Sequence, residues 1–246
     1  MPDPGSLPDE VALLWGRRAA PRRGPRPTLG VDDIVRAAMA VADADGLAAV
    51  SMAKVAAELG NSTMALYRHV RSKDELLVLM GDAAIAAPPD LSGLGWREGL
   101  TTWALSILET LREHPWYAQL PVTGPPIGPN NLAWFDRALG ALGDTPLADV
   151  EKIGVVQNLI TFVHGEVRLG RELQRSYDQD PERFGPTYGA VLAELVDPVR
   201  FPALSRVVAG GVFSGPEMVD QDLGEDFRFG LSLYLDGVEA YMQRSG

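Results

Sequence analysis

Within twelve positions the chain sets Ser62, Thr63, Met64, Tyr67, Arg68, His69 and Lys73, in the run "GNSTMALYRHVRSK". Hydroxyls, a phenol, an imidazole and cations are the groups that hydrogen-bond phosphates, and a methionine and an arginine can pack on thymine methyls or reach guanine edges. The spacing matters as much as the types. At 3.6 residues per turn Thr63 and Tyr67 share a face, as do Met64 and Arg68, while Leu66 and Val70 fall together on another. A short helix with an apolar underside and a face able to read DNA fits this pattern.

Such a face is unexpected in a chain of 246 residues with formal net charge -11. Attraction depends on where charge lies, however, and not on its sum. From Trp15 to Lys73 there are ten Lys/Arg against five acids, a local charge of +5, whereas Gly81 to Gly246 carries -11. One end of the molecule can face an anion and the rest cannot.

The elements that must hold the face can be read outward from it. Ile34, Val35, Ala38, Val41 and Ala42 recur at helical spacing after a candidate cap at Asp32, and Gly46 stops that helix. Ser51 can cap a second helix, Met52 to Leu59. Gly60 can take a left-handed turn, and a third helix starts at Ser62 or Thr63 and runs to about Val70. Ala56 leaves room for the third helix to cross close, which gives helix-turn-helix spacing. A fourth opens on Ser72-Lys73-Asp74-Glu75, a capping box, and ends before Pro88-Pro89. Residues 1 to 28 hold six prolines and five arginines around one short apolar cluster, "VALLW". They read as a flexible basic arm whose Arg22, Arg23 and Arg26 suit a minor groove or loose phosphate contact.

Beyond the prolines the chain stays helical, with no alternating strand pattern: Trp96 to about Glu113, Asn130 to Leu142, Pro146 to about Tyr177, Pro181 to Leu195, Pro202 to Ala209 and Glu225 to Gln243. The fold class is all-α, with an arm at 1–28, a helix-turn-helix domain at 29–87 and a larger helical domain at 88–246. In the long helix the stripe Gln157, Thr161, His164 and Arg168 offers polar groups to a small molecule, with Trp103, Trp116, Phe135 and Phe162 as candidate aromatic lining, although aromatics at helical spacing more often serve as core. A second stripe, Ile153, Val156, Ile160 and Val163, and a matching one in the last helix, Phe227, Leu231, Tyr234 and Val238, are wide enough to pair with a second copy as a four-helix bundle.

Residues 31 to about 85, centred on "AELGNSTMALYRHVRSKDELL", resemble the N-terminal domain of TetR-family transcriptional repressors, and "GWREGL", "REHPWYAQL", "GPPIGPNNLAWFD" and "FPALSR" are similar to the tetracycline-repressor-like C-terminal domain. The resemblance implies a homodimer that binds a palindromic double-stranded DNA operator and releases it when a small-molecule effector enters the C-terminal domain. It implies phosphate contacts from Ser51, Tyr67, His69 and Lys73 and base reading by Thr63, Met64 and Arg68. Ala53 stands where the tetracycline repressor uses an arginine to read a base, so that operator sequence does not transfer.

Other chemistry finds little support. With no cysteine and three histidines, neither a thiol nucleophile nor a Cys-type or all-His metal site is expected, and no cofactor is implied. His164 and Glu166 are two apart, on nearly opposite faces of a helix, and neither a His-Glu-x-x-His nor a Gly-x-Ser-x-Gly run occurs. An enzyme is not expected. The N-terminus lacks the charge order of a signal peptide and no run approaches a membrane span, so a cytoplasmic protein is expected.

Overall fold

In the computed structural model the described residues are 9–17, 29–121, 127–180, 186–213 and 223–245. All of their regular structure is helical. Two compact units emerge, one running through Ile160 and the other from Thr161 to Arg244.

The first unit opens with α1 (Asp9–Leu14). Here the structure departs from the expectation of a wholly flexible arm: Val11 is buried, and Leu13 and Leu14 pack against the core of the following helices. Six residues cannot hold a helix alone, but a ready-made apolar surface offsets the ordering entropy that an isolated segment cannot. The Trp15 indole Nε1 also donates to the Ile127 carbonyl at 2.9 Å.

α2 (Val31–Asp45) is capped at Gly30, not Asp32, because the Asp33 carboxylate accepts the Gly30 N–H at 3.0 Å. α3 (Met52–Glu58) and α4 (Thr63–Tyr67) follow, with the Ser51 and Ser62 hydroxyls accepting from the Lys54 and Ala65 amides. Gly60 between them has φ +63°, a conformation that an L side chain would strain. α4 stops at Tyr67, three residues short of the expected end, and the chain turns through bonds from His69 and Val70 to the Leu66 carbonyl. α5 (Lys73–Ala84) begins as expected at Ser72, although the Glu75 carboxylate takes the N–H of Arg71 rather than that of Ser72. Ile34, Val41, Val55, Leu66, Val70, Leu76 and Met80 meet in one core, each side chain contributing roughly 1.5–3 kcal/mol.

α6 (Trp96–Glu113) and α7 (Pro129–Ala141) lie against each other in the same unit. The Trp103 and Trp134 rings meet edge-on with centroids 5.9 Å apart, and Trp103 Nε1 donates to the Trp134 carbonyl at 2.9 Å. α8 (Asp149–Gln179) continues into the second unit, which also holds α9 (Pro186–Leu195), α10 (Pro202–Ala209) and α11 (Leu223–Ser245). There Phe162 stacks on Phe227 at 5.3 Å, and a methyl at Gly230 would come within 2.9 Å of the Phe162 ring.

Candidate nucleic-acid interface

Leu66 and Val70 have no exposed surface, so α4 is anchored from below and its opposite face is forced outward. On that face Met64 is 69% exposed, and Ser62, Tyr67 and Arg68 are exposed too; Thr63 and His69 are half-buried at its margins. Ser51 and Lys73 are exposed at the starts of α3 and α5. The three cap serines share a property relevant to phosphate: each Oγ accepts from an amide of its own helix, which leaves the hydroxyl proton free to donate.

Charge pairing sorts the basic residues. Lys54 is paired with Asp45 and Arg36 with Asp33, whereas neither Arg68 nor Lys73 meets an acid among the described residues. Two uncommitted cations therefore flank the exposed face of α4. Arg22, Arg23 and Arg26 lie outside the described residues; the neighbouring Arg17 guanidinium sits 5.9 Å from the Trp15 ring centroid.

The aromatic and polar residues singled out for a small molecule divide between the units. Trp103, Trp116, Phe135 and Gln157 belong to the first; Thr161, Phe162, His164 and Arg168 belong to the second. Trp116 is corrected outright: it is 1% exposed inside the core built by α2 to α5, and its indole Nε1 donates to Asp43 Oδ1 at 2.6 Å. Trp103 is buried against Trp134, and Phe135 is half-buried. On α8 the faces are the reverse of the expected ones. Val156 and Val163 are buried, Ile160 is half-buried and Ile153 exposed, while Gln157, Thr161 and Arg168 are exposed, Arg168 bonding Glu172 at 3.1 Å. His164 is half-buried, and burial holds its imidazole below the ordinary 6.5.

α11 tells the same story. Phe227, Leu231 and Val238 are buried within the single chain and Tyr234 is half-buried, its phenol pushed up to about 12 by desolvation. Phe229 and Leu233, on the other side, are 65% and 55% exposed. A residue already in the chain's own core cannot also cover a second copy, so the exposed apolar surface lies on the opposite face of the helix from the expected stripe.

Two carboxylates escaped the sequence reading. Asp43, near the end of α2, accepts from Trp116 and also lies 2.9 Å from His114 Nδ1. Asp82 of α5, 6% exposed, accepts from the backbone amides of Asn130 and Asn131 at 3.3 and 3.0 Å and from Asn131 Nδ2 at 2.9 Å, capping α7 from another helix. Nothing local marks either residue, because the partners are about 50 to 70 positions away.

A rigid helix-turn-helix with an exposed, cation-flanked second helix defines the class of DNA-binding transcriptional regulators. Residues 34–80 match the family described as bacterial regulatory proteins, tetR family, and residues 88–242 match the tetracyclin repressor-like C-terminal domain. The chain belongs to the TetR family. It is 36% identical to the HTH-type transcriptional repressor DrrR1 of Streptomyces coeruleorubidus, over 98% of this chain and 89% of that one, and 29% identical to the class E tetracycline repressor protein of Escherichia coli, over 56% and 67%. Among solved structures, ActR of Streptomyces coelicolor in complex with actinorhodin is similar with TM-score 0.71 and 28% identity, covering 87% of this chain and 96% of that one. The complex of ActR with (S)-DNPA is similar at TM-score 0.70 and 27% identity, covering 87% and 98%. Among the described residues no helix is long and apolar enough to cross a membrane and no His/Cys/Asp/Glu group could hold a metal ion.

Proposed function

We propose that the chain is a ligand-responsive repressor that binds a palindromic operator as a homodimer and is released by a small lipophilic effector. The exposed face of α4, set over the buried Leu66 and Val70, carries the reading. Thr63, Met64 and Arg68 read base edges, while Ser51, Ser62, Tyr67, His69 and Lys73 hold phosphates. Arg22, Arg23 and Arg26 add sequence-independent attraction. Residues 29–87 form the DNA-binding domain and 88–246 the effector and dimer domain. Such a protein works where its operator lies, in the cytoplasm.

Small-molecule release is supported by ActR, which is solved with actinorhodin and with (S)-DNPA. The half-buried Phe162 and His164 are the residues of α8 best suited to an apolar ligand with one polar group. For the dimer, the exposed Phe229 and Leu233 of α11 are the apolar groups available to a second copy, whose two-fold symmetry would set two α4 helices roughly 34–36 Å apart.

The test separates phosphate from base contacts on a duplex selected by the wild-type chain from a randomised pool. Lys73→Ala should weaken all sequences alike and lower the salt slope by about one, whereas Arg68→Ala should cost about 1–3 kcal/mol chiefly at one base position. An altered base preference in Lys73→Ala, with the slope intact, would overturn the assignment.

A further inference from the structure

We propose that the Met64 thioether is an oxidation site through which a two-electron oxygen donor of the peroxide class switches off the exposed face of α4, a switch that rests on the reading of α4 as the DNA-contacting helix.

The chain has seven methionines and no cysteine, so its sulfur chemistry is thioether chemistry. Burial divides the methionines. Met52, Met80 and Met242 are buried, and Met39 is half-buried against the core of the first unit. Met64, the second residue of α4, is 69% exposed. Met1 and Met218 lie outside the described residues. Leu66 and Val70 fix the opposite side of the helix inward, so the Met64 sulfur is held in water although its side chain is apolar. Oxidation follows access to the sulfur, and among the described methionines Met64 is the one that a dissolved oxidant meets first.

With hydrogen peroxide the sulfur lone pair attacks one oxygen, an S–O bond forms and the O–O bond breaks. The second oxygen leaves as hydroxide and takes the proton of the transferred oxygen, so the sulfur loses two electrons and the products are sulfoxide and water. The sulfoxide is polar and a hydrogen-bond acceptor. Arg68 stands four residues on with helical backbone, exposed like Met64, and meets no acid among the described residues. Side chains at that spacing are neighbours, so its guanidinium can donate to the new oxygen. Oxidation thereby removes two base readers at once: Met64 no longer packs on a thymine methyl without losing the hydration of its sulfoxide, and Arg68 is drawn back onto its own helix. Residues at the start of such a helix enter the groove, so bound DNA shields Met64. The oxidant acts on the free chain and blocks rebinding until the sulfoxide is reduced.

The experiment treats the full wild-type chain with hydrogen peroxide, free and bound to the duplex it selects from a randomised pool. Peptide mass spectrometry locates the added oxygen, and affinity for that duplex is measured. In the free chain Met64 should be oxidised about tenfold faster than Met39, Met52, Met80 and Met242, and the duplex should slow the reaction at Met64. Affinity should fall about tenfold as Met64 is oxidised, with helicity by circular dichroism unchanged. Methionine sulfoxide reductases acting on both epimers should restore it. The chain oxidised while bound, with Met64 spared, should keep its affinity, which decides the case without a variant. Met64→Leu, whatever its own affinity, should lose the response to peroxide, and Arg68→Ala should show a smaller fold-loss on oxidation than the wild type. An equal loss in Met64→Leu, or intact affinity after complete oxidation of Met64, would overturn the switch alone. An equal loss in Arg68→Ala would overturn the capture of its guanidinium. A wild-type chain that selects no duplex would instead sink the reading of α4, and the switch with it.

Discussion

Removing the Asp43 carboxylate tests whether the turn after α6 is fastened to the DNA-binding core as the structure implies. Trp116 is 1% exposed and its indole N–H points at Asp43 Oδ1 from 2.6 Å. Asp43→Ala strands that donor out of water and also takes the partner from His114, a loss of about 1–3 kcal/mol. Trp116→Phe keeps most of the apolar burial and removes the donor; Asp43 is 37% exposed, so water can solvate its freed oxygen, and the cost is only part of the about 3–5 kcal/mol of a full truncation. In the double variant the donor that Asp43→Ala would strand no longer exists. The two losses should therefore overlap by about 1–2 kcal/mol, the lower part of the range for a bond to a charged group because one partner is wet. With a slope of about 1–3 kcal/mol per molar urea, each single variant should move the midpoint by several tenths of a molar or more. The measurement is urea unfolding of all four proteins at one protomer concentration, since a dimer's stability depends on it. Losses that add to within about 0.5 kcal/mol would refute the bond as a stabilising contact between α2 and the turn.

Ala86→Gly should stabilise the chain by about 0.5–1 kcal/mol, because the left-handed backbone costs an alanine roughly 1–2 kcal/mol and glycine returns part of that as unfolded-state entropy; a lower melting temperature would contradict this. His164 has a folded pKa below its ordinary 6.5, so on acidification the unfolded chain takes up its proton first, and stability contributed by the neutral ring is lost as pH falls below 6.5 toward the folded value. Urea midpoints measured from about pH 7 to pH 5 should fall less steeply in His164→Gln, and parallel slopes would count against the burial. Phe229→Arg with Leu233→Arg, both on exposed positions, should leave the fold intact and give a monomer in sedimentation, while Leu231→Arg should unfold the chain; a dimeric double variant would send the dimer surface elsewhere.

The sequence by itself determined whatever depends on neighbours within a turn or two. Ser51, Ser62 and Ser72 cap their helices because a side-chain oxygen reaches an amide three residues on, Gly60 turns because only its own φ is at stake, and Leu66 and Val70 lie inward because the helical period puts them together. Tertiary structure alone decided which side of α8 and α11 the chain keeps for itself. Both helices carry more than one apolar stripe, and periodicity reveals stripes without saying which partner covers each; the chain buried Val156, Val163, Phe227 and Leu231 and left Phe229 and Leu233 outside. It also decided that Trp116 would complete the core beneath α2 and that Asp82 would cap α7, since a side chain's nearest partner in space bears no relation to its distance along the chain. For the same reason α1, too short to stand alone, became helix once a core existed for Val11 to enter.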